Sequence, residues 1–95
     1  MAKHNRSAHD KEVKRLAEEY KRLGAKVKAS VPGYPPPESI AGRIPDIIAQ
    51  KGTRRDIVEM ETPETLIPHK PQHSTFRRHA GQKLGTTVKI VVTKG

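Results

Sequence analysis

Cysteine and tryptophan are absent, and only Tyr20, Tyr34 and Phe76 are aromatic. Without cysteine there is no disulfide framework to staple an extracellular fold. Three rings are too few for a sheet that binds single strands by stacking successive bases, so backbone electrostatics must dominate any nucleic-acid binding. No run of about eighteen apolar residues occurs, which excludes a spanning helix. The opening MAKHNRSAHD lacks the apolar stretch of a signal peptide, and the cytoplasm is the expected compartment. An amphipathic helix with exposed aromatic anchors is also missing, which argues against a membrane-surface protein. Acid is the scarce charge: ten Asp and Glu stand against nineteen Lys and Arg, a formal net charge of +9.

The 95 residues suit one small domain with little left for a second. So large a cationic excess usually serves a polyanionic partner, because neutralising phosphates releases counterions. Nucleic acid is the leading candidate; a merely solvated, highly charged surface is the plainer alternative.

In HDKEVKRLAEEYKRLG the apolar Val13, Leu16, Ala17, Tyr20 and Leu23 recur at helical spacing. Asp10 or Ser7 suits the cap of this helix, and Gly24 suits its end. AKVKASV alternates as a half-exposed strand does, and PGYPPPES is a turn and stiff linker with Tyr34 as a packed anchor. Residues 44–50 and 55–62 form a hairpin around a four-residue connection, KGTR, with Pro45 forcing a bend or an edge. TPETLIPHKP is a loop. QHSTFRRHAGQKLG is a second helix with a thin apolar side of Phe76, Ala80 and Leu84, weakened by Gly81. TTVKIVVTK closes as a strand whose IVV implies burial on both faces. Residues 1–9 form a flexible basic arm and residues 10–95 one domain, in the order helix, three strands, helix, strand.

Where a buried hairpin would rather carry valine, this one carries acids: RIPDIIAQKGTRRDIVEMET spans residues 43–62. A register symmetric about Gly52 and Thr53 sets Ile48 opposite Ile57, Ile47 opposite Val58, and Asp46 opposite Glu59. Opposed like charges destabilise a ladder, and Glu61 joins Glu59 on the same face two residues later. Either the three lie in solvent, as the polar face of a one-sided sheet paired with Arg43 or Arg55, or something positive sits among them. A hard divalent cation fits, since magnesium takes oxygen ligands and needs only one or two protein carboxylates. Ile48 and Ile57 stand on the same face just behind the acids, which places the acids at the rim of a core.

Pro45-Asp46, twelve further residues, then Glu59-Met60-Glu61, set between a helix and strand and a helix and strand, resemble the PD-(D/E)XK nuclease superfamily. GRIPDIIA and DIVEMET look most like archaeal Holliday junction resolvases. The resemblance covers nearly the whole chain. It implies an α/β fold, a minimal restriction-endonuclease-like domain of αβββαβ order with a mixed central sheet flanked by helices. It implies a metal-dependent DNA endonuclease that hydrolyses phosphodiester bonds, with a junction-resolvase-like selectivity for structure and a homodimeric state. Asp46 and Glu59 match the motif's metal-binding acids, with Mg²⁺ or Mn²⁺ as cofactor. Glu61 occupies the position of the motif lysine, which in the family orients or activates water. A glutamate there completes the metal site or acts as base, or Lys28, Lys51 or Lys70 restores the cation. Gln72 and Phe76 resemble the Q-x-x-x-Y element of RecB-like members, with phenylalanine for tyrosine; the plainer reading of Phe76 is a core residue. Glu12 and Glu19 are the candidates for a first-helix glutamate. A noncatalytic nucleic-acid-binding module that keeps the fold is the alternative function.

His69 and His73 are four apart, a zinc-compatible spacing, but Pro71 between them and the lack of an obvious third ligand favour solvated histidines in a DNA-facing loop. Arg43, Lys70, Arg77, Arg78 and Lys83 are the residues expected to grip DNA phosphates, a charged helix exterior being the ordinary alternative for the last three.

Overall fold

The computed structural model describes residues 6–93, the side chains of residues 6 and 7 excepted. The apolar stripe of the first segment becomes α1, Arg6–Arg22, and Gly24, at a φ of +94°, takes the left-handed conformation that ends it. Residues 6–9, expected in the basic arm, are the first turns of this helix, and Ser7 and Asp10 lie inside it instead of capping it; residues 1–5 lie outside the described residues.

Four strands follow: β1 (Lys26–Ala29), β2 (Ile47–Lys51), β3 (Arg54–Glu61) and β4 (Thr86–Val92). They form one mixed sheet in sequence order, antiparallel from β1 through β3 and parallel between β3 and β4. The hairpin register places Ile47 opposite Val58 and Ile48 opposite Ile57. Its connection is tighter than the four residues expected, because Lys51 and Arg54 pair and leave only Gly52 and Thr53 in the turn. Gly52 has a φ of +60°, the backbone that the first position of a type II′ turn requires. Pro45 cannot donate to a ladder, and β2 begins only after it, at Ile47.

Alternation along β2 and β3 sends two apolar sets to opposite faces. Ile47, Ala49, Val58 and Met60 pack with Val13 and Ala17 of α1, while Ile48 and Ile57 pack with Ile40 and Phe76. Phe76 belongs to α3, Lys70–Gly81, so a helix covers each face of the sheet. Between β3 and α3 lies a four-residue helix, α2 (Pro63–Leu66), where a loop was expected. Proline at the first helical position loses no hydrogen bond, which is why TPETL can turn helical.

The second helix is displaced from its expected span. It starts two residues earlier and closes at Gly81, so that glycine ends the helix instead of weakening its interior, and Leu84 lies beyond it in full solvent. Gly85, at a φ of +79°, then turns the chain into β4 so closely over the hairpin that a Cβ there would lie 2.5 Å from the Thr53 carbonyl oxygen. The burial expected on both faces of β4 is not found. β4 is an edge strand: Ile90 and Val91 are half-buried and Val92 is exposed, whereas β3, flanked on both sides, carries the buried run. No helix is long and apolar enough to cross a membrane among the described residues.

Candidate functional site

The acids stand on the α3 face, at the end of the hairpin away from its turn. Asp46 is anchored through the main chain: the Ser30 N–H donates to the Asp46 carbonyl at 2.9 Å, and Ser30 Oγ donates to the Pro45 carbonyl at 3.1 Å. The Asp46 N–H then donates to Glu59 Oε2 at 3.1 Å, and the Met60 N–H donates to Asp46 Oδ2 at 2.9 Å. These reciprocal bonds hold the two carboxylates side by side in fixed orientations. Gln72, from the first turn of α3, lies close enough to Glu59 to favour its charged form. Asp46, Glu59, Glu61 and Gln72 are thus brought together.

Glu59 is buried, and burial pushes its carboxyl up to about 8, with Asp46 and then Glu61 adding repulsion. Glu61 is only 2% exposed, yet its carboxylate is surrounded by donors. Thr65 Oγ1 donates to Oε1, His69 Nδ1 lies 2.9 and 3.0 Å from the two oxygens, and His73 Nε2 lies 2.7 Å from Oε2.

The histidines correct the expectation of solvated rings in a loop. His73 is 3% exposed and inside α3. Pro71 does not separate it from His69, because proline in the first turn of a helix interrupts no bond. His69, the residue that precedes α3, makes no capping bond and turns its ring onto Glu61 instead. Both rings meet on the Glu61 carboxylate. On the other side of the site, His9 of α1 places Nε2 3.4 Å from Asp46 Oδ2. The hydrogen bond to Asp46 raises this imidazole to about 9, against the opposing effect of its partial burial.

Among the described residues no lysine pairs with Asp46, Glu59 or Glu61. Lys28 is bound to Glu38 at 3.2 Å, Lys51 lies at the turn with its Cε over Gly24, and Lys70 is exposed. Of the first-helix glutamates, Glu12 pairs with Arg15 at 3.1 Å and Glu19 is exposed. Arg43, Lys70, Arg77, Arg78 and Lys83 are all exposed and form no ion pair among the described residues. Arg55 is half-buried and held by Glu38 at 2.9 Å, away from the acids it was offered to.

The opposite face carries a separate, fully paired cluster. Asp56 accepts from Tyr20 Oη at 3.0 Å and lies 3.3 Å from Lys89 Nζ and 3.4 Å from Arg54 Nε. Burial raises the Asp56 carboxyl, but the bonds from Tyr20 and Lys89 outweigh it and hold the group below its ordinary value.

Sequence reasoning missed His9 and discounted His73. His9 stands four residues before Val13, so the stripe of α1 extended by one turn passes through it.

No protein-family model, curated protein or solved structure matches the chain.

Proposed function

We propose that the chain is a metal-dependent DNA endonuclease that hydrolyses phosphodiester bonds. The observation that carries this reading is the fixed juxtaposition of Asp46 and Glu59, with Glu61 beside them, at the rim of the sheet. Burial, with added repulsion from Asp46 and Glu61, pushes Glu59 up to about 8, and a cation held among these carboxylates would favour its charged form. Two further features agree. The helix, three-strand, helix, strand order, interrupted only by the short α2, fits the resemblance to the PD-(D/E)XK fold, and a net charge of +9 suits a phosphate backbone.

The donor set tests well against a divalent ion. Asp46 and Glu59 offer carboxylate oxygens already oriented by main-chain N–H groups, the outer-shell support that metal sites use. When bound, such an ion polarises a phosphate and lowers the pKa of a water. The chain's own residues would do the rest: Gln72 orients Glu59, and His9 fixes Asp46. Arg77, Arg78 and Lys83 on and beyond α3, with Arg43 and Lys70, would hold the DNA backbone without reading bases.

One observation favours a second reading, a noncatalytic DNA-binding module. Glu61, in the lysine position, is tied up by Thr65, His69 and His73, and among the described residues no lysine pairs with the three acids. Purified protein should be incubated with single-stranded, duplex and branched DNA, with Mg²⁺, Mn²⁺ or chelator. Metal-dependent cleavage of any of the three that disappears in Asp46→Asn supports the enzyme. Binding without cleavage, unchanged by Asp46→Asn, supports the module.

A further inference from the structure

The cluster holds two kinds of donor, and they are not mixed evenly. Asp46 and Glu59 offer oxygen alone. On the other side of Glu59, one ligand atom each from Glu59, Glu61 and His73 lie within 4.8 Å of one another, and all three residues are buried. His73 brings an imidazole nitrogen into a position that oxygen-seeking magnesium has no use for.

We infer that Glu59, Glu61 and His73 form a cation position selective for a borderline transition ion of the zinc or cobalt class, with His69 at its open side. This deepens the nuclease reading of the same site, but its donors stand independently of whether DNA is cut.

Three observations converge on the assignment. Glu61 is at once the most enclosed acid of the cluster and the one onto which two imidazoles are aimed, at 2.7 and 2.9 Å. Thr65 fixes the Glu61 carboxylate from the side of α2, as outer-shell hydroxyls fix metal-bound carboxylates. His69 is exposed while His73 is not, so the position has one face through which an ion can enter and one sealed face. Neutral imidazole with carboxylate is the donor set of zinc and its neighbours, whereas all-oxygen sets suit magnesium and calcium. The exchange of a lysine for Glu61 thereby acquires a physical role: it removes a cation from the site and adds an anionic ligand beside two nitrogens.

The probe is Co²⁺, whose visible absorption reports nitrogen and oxygen ligation directly. The purified chain should take up one Co²⁺ with visible d–d bands, displaced by Zn²⁺ and retained in a roughly 1,000-fold excess of Mg²⁺. His73→Gln should weaken this uptake by at least about 100-fold, with far-UV circular dichroism showing that the variant is folded. If that variant does not fold, paramagnetic shifts of the His73 and His69 ring protons in the wild-type chain decide the matter. Absence of bands, uptake indifferent to His73→Gln, or ring protons unmoved by Co²⁺ overturns the inference. Cleavage supported by Mg²⁺ without cobalt uptake would sink this inference and leave the nuclease standing; cobalt uptake through His73 without cleavage of any DNA would do the reverse.

Discussion

The Asp46 main-chain N–H donates to the Glu59 carboxylate at 3.1 Å, so the two acids of the hairpin are coupled through backbone as well as through charge. That bond relieves only part of the strain of placing them together. Burial and repulsion still leave Glu59 at about 8, and the imidazole of His9, at about 9, answers from across Asp46.

The pH dependence of folding follows from those two groups. Glu59 binds its proton more tightly folded than unfolded between 4.5 and about 8, and His9 does so between 6.5 and about 9. In both windows the native state holds more protons, so stability is greatest below them and falls as pH rises. Urea denaturation in chelator should show the loss from pH 5 to pH 9. Glu59→Gln keeps an acceptor for the Asp46 N–H and removes the charge. It should flatten the slope and stabilise the chain at pH 9 by about 1–3 kcal/mol, since each pKa unit corresponds to about 1.4 kcal/mol. A wild-type curve that rises across this range would contradict the assignment.

Asp46→Asn separates catalysis from binding. The variant keeps the shape of the side chain and an acceptor for the Met60 N–H, but loses an anionic ligand. Metal-dependent cleavage should fall by at least about 100-fold, while DNA affinity, measured by fluorescence anisotropy, is unchanged or higher because a repelling charge has gone.

The basic residues of α3 make a distinct prediction. Arg77 and Arg78 are exposed and unpaired among the described residues. If both meet phosphates, Arg77→Ala with Arg78→Ala should weaken binding to all sequences alike and reduce the slope of log K against log salt by about 2. An unchanged slope assigns these residues to the solvated exterior of the helix.

On the far face, Tyr20→Phe should destabilise the chain by about 1–2 kcal/mol, because the buried Asp56 loses the Tyr20 hydroxyl donor while keeping Lys89 and Arg54. Thermal denaturation measures this, and cleavage should be unaffected, since Asp56 points away from the acids.

What was legible in the chain was the part governed by local periodicity. Apolar alternation about Gly52 and Thr53 fixes the hairpin register, and with it the meeting of Asp46 and Glu59, because a slip by one residue would turn Ile48 and Ile57 to the wrong face. The stripe from Val13 to Tyr20 sufficed for α1. Tertiary placement was not legible. IVV has the composition of a doubly covered strand, but β4 is at the edge of the sheet, a fact about neighbours and not about β-branching. The loop before α3 hid α2 behind its prolines, and with it the reach of Thr65 and His69 to Glu61. His9 escaped because the first turn of α1 carries no acidic residue to mark the start of the helix. The pairing of His69 and His73 was visible as a spacing, but its third member is 8 and 12 residues away on a strand and becomes their neighbour only through the fold.

The most direct test of the account is Mn²⁺ uptake, read from the electron paramagnetic resonance of the free ion, by the wild-type chain and by Glu59→Gln, each with and without duplex DNA. Glu59 is shared by every cation position assigned to the site. Saturable uptake by the wild type, tighter when DNA is present, and its loss in Glu59→Gln are expected. A wild-type chain that takes up no Mn²⁺ even when bound to DNA, or a Glu59→Gln variant that takes it up equally well, would contradict this assignment.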